Sequence, residues 1–486
     1  LCGYVHTGDE PPDECPVCGA PQEDFSEEIP ATAATVRPSQ WRCLNCNYVH
    51  DGDAPPDECP LCGAIAECFE AVEPGKPSVQ GGHSGDGETY VVLGAGIAGV
   101  SAVEAIRDLV PGSRIVLVNG EGTVPYYRLN LTRYLAGEIG QDAMPIHPAE
   151  WYEERRIELI SGGRVQGIDR EAKTVTLGSG EDIAYTRLVL TMGSHPFVPP
   201  LDGTNLDGVL SLRTSTDAEA ILDRALWGPC VVIGGGVLGM ETAAGLARRG
   251  ADVTLLESHA WIMPRQLSEA AGGVIERQLA SIGVKLRKEA RTVALSGTAD
   301  LQAVTLSDGI QLPARTVVLA TGVRPNTHLA RRAGLDVDRG VVVSPTLQTS
   351  DPDIYAAGDV AEHDGRVYGT WAISQFQGVI AGSNAAGGNM VFGNLPRSNT
   401  LKVLGLELLS VGDFVPVDGS YEVLSDADGE RFAEFIFRDG QLVGAILIGH
   451  GPCHTGVKKA VEDGEGYASE LASGLTACDL LDQFSR

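Results

Sequence analysis

Residues 89–99 read TYVVLGAGIAG. The β-branched, apolar run Thr89–Leu93 suits a strand buried on both faces. Gly94, Gly96 and Gly99 follow at the spacing of a tight strand-to-helix turn, and a helical pattern continues to Leu109. Arg114–Val118 is a second apolar run, with Asn119 and Glu121 just beyond it. Strand, glycine turn, helix, strand and acid together make a dinucleotide-binding βαβ unit. The glycines let the backbone approach a pyrophosphate at the helix N-terminus. Glu121 is placed to bind an adenosine ribose, with Asn119 as its competitor.

The pattern recurs 140 residues further on. Cys230–Ile233 leads into Gly234, Gly236 and Gly239, a helix to about Arg249, and a strand, Asp252–Leu256, that ends in Glu257. Glu257 would accept from both ribose hydroxyls and repel a 2′-phosphate. No arginine occurs in the seven residues after it, and Arg265 is the first base available, so NADH is expected rather than NADPH. The alternative, an α/β sheet without a cofactor, sits poorly with the duplication. Leu188–Ser194 (LVLTMGS) and Val317–Asn326 (VVLATGVRPN) read as a strand and turn beside each unit, and residues 349–359 (TSDPDIYAAGD) as a strand running into a Gly-Asp turn.

Together these segments resemble the two-dinucleotide flavoprotein class that includes the pyridine nucleotide–disulfide oxidoreductases, over roughly residues 89–450. The resemblance implies FAD on the first unit and NAD(P)H on the second. It implies cofactor-binding turns at Gly193 and Gly322, and Asp359, after Gly358, at the ribityl–pyrophosphate end of the flavin. Met192 is a departure, since the class usually has threonine there.

The N-terminus is built differently. Residues 1–25 align with residues 45–69 with 17 identities, a repeat too short to fold on an apolar core alone. The second copy has Cys43-x-x-Cys46, twelve residues, then Cys59-x-x-Cys62. Two such knuckles make a tetrahedral S4 site, which takes iron or zinc. Trp41, Tyr48 and Phe69 bracket the knuckles and suit a small aromatic core. The segment WRCLNCNYVHDGDAPPDECPLCGA resembles the rubredoxin module that ends rubrerythrins, which implies one iron held by four cysteines. Asn47 replaces that family's usual glycine, and asparagine tolerates the left-handed turn next best. The first copy offers Cys2, Cys15 and Cys18, and its fourth ligand would stand two residues before Leu1, so the chain reads as continuing upstream.

Thiols sort the members of the class. No cysteine occurs between Cys68 and Cys230, where disulfide reductases and single-thiol oxidases carry theirs. Cys230 falls inside a buried strand and is expected to be inert. Flavin-to-disulfide chemistry is therefore excluded for this region. VPYYRLNLTRYLAGEI (residues 124–139) and LARRAGL (residues 329–335) resemble NADH:rubredoxin oxidoreductases, and nitrite-reductase flavin subunits share much of this. The resemblance implies Arg128 near the flavin, Glu241 near the nicotinamide, and Trp371 and Gln375 facing the isoalloxazine. The plainer roles are a surface ion pair for Arg128, a helix salt bridge for Glu241 and core packing for Trp371.

The composition agrees with a soluble multidomain chain. The 486 residues are 43% hydrophobic and 21% charged, and no apolar stretch is long enough to span a bilayer. The net charge of −29 argues against nucleic acid and anionic membrane as partners. Residues 1–87 carry 16 acids and three bases, a net of −13, so an acceptor of the modules is expected to present a basic surface. No signal segment is seen, and a cytoplasmic location is expected.

The expected fold is α/β, with FAD and NAD(P) Rossmann-like domains, a C-terminal α+β domain and two N-terminal rubredoxin-like ribbons. Modules lie at 1–28 and 40–70, a linker at 71–88, the FAD-binding domain at 89–206 and 323–398, the NAD-binding domain at 207–322 and the C-terminal domain at 399–486. Three strands are read in that last domain: Glu407–Ser410, Arg431–Arg438 and Gln441–Ile448. In the class it is often an oligomer interface. His450, Cys453 and His454 cluster there without standard metal spacing. The expected course is hydride from NADH to FAD, then single electrons to Fe(Cys)4 sites and on to a protein. The alternatives are zinc-ribbon docking modules on a flavin oxidase or reductase, or one subunit of a larger electron-transfer complex.

Overall fold

A computed structural model describes residues 87–393, 398–414, 416 and 418–485, and, nearer the N-terminus, 40–43, 49–51, 54–56, 66 and 69–71. Two five-stranded parallel sheets dominate. In the first the order is Ile354–Ala356, Arg187–Leu190, Thr89–Leu93, Arg114–Asn119, Ile157–Ser161. In the second it is Val209–Ser211, Thr316–Leu319, Cys230–Ile233, Val253–Leu256, Lys285–Arg287. Each glycine-turn strand is central and covered on both faces, which is why these strands are runs of Val, Ile and Leu rather than alternating patterns.

Each glycine turn opens a helix, Ile97–Leu109 in the first unit and Val237–Arg248 in the second. The helix Trp371–Ala385 crosses the first of these at close range. A Cβ on Gly378 would lie 2.3 Å from the Ala98 carbonyl oxygen, and one on Gly382 2.4 Å from that of Ala102, so both positions require glycine. The chain enters and leaves the second unit through a two-stranded antiparallel link, Ser194–Pro196 against Val323–Pro325.

The C-terminal region holds five antiparallel strands, two more than the sequence suggested. The order is Ser398–Val403, Leu406–Gly412, Gln441–Ile448, Arg431–Arg438, Tyr421–Asp428. The last is an edge strand with a largely polar sequence, which gives little hydrophobic signal. One face of the sheet buries Phe435 and Leu447 against Val457 and Leu480 of the final helices. The other buries Phe432, Ile436 and Ile446 in a core shared with Met240 and Val274 of the second unit. Cys453 lies 3.2 Å from the Ser485 hydroxyl and His454 is buried. Among the described residues no group of three or more His, Cys, Asp or Glu side chains is arranged to hold a metal.

Of the N-terminal ribbons the described part is a three-stranded antiparallel sheet, Val49–Asp51, Gln40–Cys43, Phe69–Ala71. Phe69 is buried, and Cys43 pairs with Phe69 across two strands. Cys2, Cys15, Cys18, Cys46, Cys59 and Cys62 lie outside the described residues, as do Tyr48 and the side chain of Cys43. Among the described residues no helix is long and apolar enough to cross a membrane.

Candidate dinucleotide sites

Both glycine turns are enforced by the backbone itself. Gly94 sits at φ +107° and Gly234 at φ +117°, a region that side chains disfavour. A Cβ on Gly94 would lie 2.3 Å from the Thr191 carbonyl oxygen, and one on Gly234 2.4 Å from that of Ala320. A Cβ on Gly99 or Gly239 would stand 1.9 Å from the carbonyl oxygen of Gly94 or Gly234. The middle glycines behave oppositely. Around Gly96 and Gly236 a Cβ would meet nothing within 4 Å, and neither residue caps its helix through a side chain. The first-turn N–H groups therefore lack a side-chain acceptor, and the turn is open on that side. This is the cradle a pyrophosphate requires.

Strand register identifies the residues at the ribose end. Leu93 pairs with Val118, and Ile233 pairs with Leu256, so Asn119 and Glu257 occupy equivalent positions. Asn119 donates to the Thr123 carbonyl (2.6 Å) and accepts from the Glu121 N–H (3.1 Å). Glu121 is turned elsewhere. Its carboxylate accepts from Arg128 Nη2 and from the Tyr126 hydroxyl, each at 2.6 Å. Glu257 stays beneath its turn, where Oε2 accepts from the Gly235 N–H at 2.9 Å. Burial opposes its ionisation, but the His259 and Gly235 donors outweigh this and hold the carboxyl below its usual range.

Arg128 joins a compact charge cluster. Its Nη1 donates to the Arg213 carbonyl at 2.5 Å. Burial disfavours the guanidinium, yet the Glu121 charge outweighs it and keeps Arg128 more firmly protonated than usual. Arg213 supplies a second cation, 3.6 Å from Asp359 Oδ2; burial and the nearby Arg128 lower its pKa. Asp359 also accepts from the Ser194 hydroxyl at 2.7 Å. Glu121, Arg128, Arg213 and Asp359 thus form a neutral set of two acids and two bases. Tyr126 ties it to the second unit by accepting from the Ser215 N–H (3.1 Å), and burial pushes its phenol up to about 12. Arg213, which the sequence reading missed, also crowds Gly193, where a Cβ would lie 3.1 Å from its Nη2.

Trp371 opens the helix Trp371–Ala385, and its ring lies 5.7 Å from that of Tyr127. Gly358, at φ +77°, donates its N–H to Gln377 Oε1 at 2.9 Å. Trp371 Nε1, Gln375 Oε1 and Gln377 Nε2 are buried without a hydrogen-bond partner. Each such atom costs roughly 1–3 kcal/mol. Trp371 and Gln375, one helical turn apart and so on one face of the helix, offer an unpaired donor and an unpaired acceptor, which suits the mixed polar edge of an isoalloxazine. The residues present therefore fit FAD. Gly193 and Gly322 both adopt positive φ, +64° and +104°.

Glu241 has a different placement. Its Oε1 accepts from the Leu404 N–H of the C-terminal domain at 2.7 Å, and burial pushes its carboxyl up. A cavity of about 530 Å³ begins at Leu93, Gly94 and Val118 and extends to His195, Asn326 and Arg331. None of these last three was singled out from sequence. His195 Nδ1 lies 2.7 Å from Asn326 Oδ1, and Asn326 Nδ2 donates to the Met192 carbonyl at 2.7 Å.

Residues 88–378 match the family model of pyridine nucleotide-disulphide oxidoreductases, and the chain belongs to that family. Residues 398–465 match the rubredoxin NAD+ reductase C-terminal domain, and residues 1–26 and 41–70 each match the rubredoxin-like domain of rubrerythrin. The chain thus joins that family's two-dinucleotide region to a C-terminal domain of the rubredoxin NAD+ reductase type and to rubredoxin-like N-terminal modules. The chain is 29% identical to the NADH-rubredoxin oxidoreductase of Clostridium acetobutylicum, over 78% of this chain and 95% of that one. The crystal structure of NADH:rubredoxin oxidoreductase from that organism aligns with a TM-score of 0.69 at 28% identity, covering 80% of this chain and all of that one. The assimilatory nitrate reductase electron transfer subunit of Bacillus subtilis is 33% identical over 74% of this chain and 48% of that one. This chain thus spans about half the length, or less, of the nitrate- and nitrite-reductase relatives.

Proposed function

We propose that the chain passes electrons from NADH through FAD to its own tetrathiolate iron modules and then to a protein acceptor. The observation that carries this reading is that, among the described residues, the first dinucleotide unit contains no cysteine to serve as a thiol beside the flavin. No cysteine occurs between Cys68 and Cys230. Cys230 is fully buried in its strand, and burial pushes its thiol up to about 12. With no dithiol to receive them, electrons leave for a separate acceptor, and two rubredoxin-like modules are carried on the same chain.

FAD, when bound, links a two-electron hydride donor to one-electron iron. The turn Gly94–Gly99 holds its pyrophosphate, and Asn119 stands at its ribose. Arg128, Arg213 and Asp359 fix the charge around the ribityl end, while Trp371 and Gln375 meet the ring. In the second unit the turn Gly234–Gly239 holds the pyrophosphate of NADH and Glu257 accepts from its ribose. Glu241, with one oxygen committed to Leu404, lines the nicotinamide side. The FAD-binding part is 89–206 with 323–398, and the NAD-binding part 207–322. Cys43, Cys46, Cys59 and Cys62 hold one iron, and Cys2, Cys15 and Cys18 belong to a second site. The acidic modules meet a basic acceptor in the cytoplasm, at a rate that falls with salt.

The test is Cys15→Ser, Cys18→Ser, Cys46→Ser and Cys62→Ser combined in the full chain, so that both modules lose ligands. FAD content and NADH:ferricyanide activity should stay within about twofold of wild type, because ferricyanide takes electrons directly. Reduction of a basic protein acceptor such as cytochrome c should fall at least ~50-fold. Undiminished cytochrome c reduction would refute the relay.

A further inference from the structure

We infer that His259 makes this chain prefer NADH to NADPH by holding Glu257 in the orientation that accepts a ribose hydroxyl. This rests on the reading of the second glycine turn as the NADH site and adds the residue that tunes it. An ionised carboxylate offers about four lone-pair positions. At Glu257 Oε1 three donors converge: the His259 N–H at 2.8 Å, His259 Nδ1 at 2.6 Å and the Ser258 hydroxyl at 3.2 Å. That oxygen is saturated. Oε2 receives only the Gly235 N–H at 2.9 Å, so its remaining lone pair lies on the oxygen that touches the glycine turn, where a ribose hydroxyl arrives.

The imidazole is well placed to impose this. The Glu257 side chain is 8% exposed and that of His259 61% exposed, so His259 clamps the carboxylate from the solvent side and leaves the turn side clear. The surrounding backbone is fixed as well. The Glu257 N–H donates to the Arg287 carbonyl, the Ala290 N–H to the Glu257 carbonyl and the Glu289 N–H to the His259 carbonyl, at 2.8–3.0 Å. The charged groups on that neighbouring segment are Arg287, which pairs with Asp308 at 3.2 Å, Lys288, which pairs with Glu276 at 3.0 Å, and Glu289. A 2′-phosphate would bring a dianion against a carboxylate that cannot swing away while His259 holds it. Without the His259 ring the carboxylate loses its shortest donor and is held only by main-chain N–H groups and the Ser258 hydroxyl, so its orientation is less firmly fixed. NADH would then lose a preorganised acceptor and NADPH a fixed repulsive charge.

The test is His259→Leu in the full flavoprotein, with flavin content as the folding control. Binding of NAD+ and NADP+ to the oxidised protein is measured by isothermal titration calorimetry, and NADH turnover is measured beside it. Loss of a charge-assisted hydrogen bond should weaken NAD+ binding about fivefold to tenfold and leave NADP+ binding unchanged or tighter. The kinetic effect should fall on the KM for NADH rather than on kcat. His259→Asn, which keeps a side-chain donor, should recover most of the preference. Equal weakening for both nucleotides, or no change for either, overturns the role of His259. Failure of the wild-type protein to bind NAD+ at all overturns the underlying assignment of the site instead.

Discussion

In the first unit Ala95 follows Gly94, whereas in the second the equivalent residue is Gly235. The reason lies across each turn. A Cβ on Gly235 would come within 2.8 Å of Glu257 Oε2, because the acid ending that strand sits directly beneath the turn and accepts its N–H. In the first unit the equivalent strand-end residue is Asn119, which spends its amide on Thr123, and Ala95 is accommodated and buried. The acid of the first unit, Glu121, lies two residues later and serves Arg128. The same backbone cradle therefore carries two different ribose ends. The second keeps its carboxylate directly beneath the turn with no cation bound to it there, as suits a nucleotide that must be recognised at each turnover. The first commits its acid to a charge cluster with Arg128, as suits a cofactor that stays.

The sharpest way to break this comparison is to fill the third glycine of each turn. Gly99→Ala and Gly239→Ala each place a methyl 1.9 Å from a carbonyl oxygen. Overpacking of this kind costs ~1–3 kcal/mol or more. Gly99→Ala should purify largely without FAD. Gly239→Ala should retain FAD, visible by absorption, while its KM for NADH rises on the order of 100-fold. If both variants lose flavin equally, the two turns do not serve separate nucleotides.

A second pair of variants tests the middle position. Gly235→Ala should displace Glu257 and raise the KM for NADH about tenfold, with little change in kcat. Ala95→Gly has no acid to relieve and should cost only about 1 kcal/mol, read as a small drop in Tm. Equal effects would mean that the strand-end acid does not explain the glycine.

A smaller effect is expected at Glu121. Glu121→Gln leaves Arg128 without its paired charge. The pair is about a quarter exposed, so solvent screening reduces the cost to roughly 2 kcal/mol, read as a Tm loss with NAD+ affinity unchanged. A loss of NAD+ affinity instead would tie Glu121 to the second nucleotide and not to the first.

The smallest effect concerns pH. The Glu257 carboxyl is held below its usual value of 4.5 in the folded protein. Its contribution is fully present above the unfolded pKa and is lost as pH falls through the lower folded value. The stability difference between wild type and Glu257→Gln, from denaturant unfolding, should therefore shrink as pH falls below about 4.5. A difference that grows as pH falls through that range would contradict the assignment.

The glycine turns were legible because their spacing is dictated by collisions within a few residues of local backbone. The strands beside them were legible because central parallel strands are continuous apolar runs. The edge strand Tyr421–Asp428 gave no such signal, since half of it faces water and Val423 is exposed. Arg213 was missed for a different reason. It lies 85 residues from Arg128 in the chain, and only the folded arrangement of loops brings the two guanidiniums between Glu121 and Asp359. His259 was hidden in the same way: two residues past Glu257 it reads as a surface histidine, and its role depends on how the strand end turns. Pattern reading placed Glu121 by its distance from a strand, whereas register shows Asn119 at the position equivalent to Glu257.

The central claim is that one chain converts hydride from NADH into single electrons carried by its own iron. Anaerobic visible absorption during an NADH titration of the purified full chain tests it most directly. The account predicts thiolate-to-iron charge-transfer bands superimposed on the flavin spectrum. Both should bleach, with more reducing equivalents consumed than the flavin alone can hold. A spectrum in which only flavin absorbs and only flavin bleaches would contradict it, and would mean that the ribbons hold zinc or no metal and act in docking.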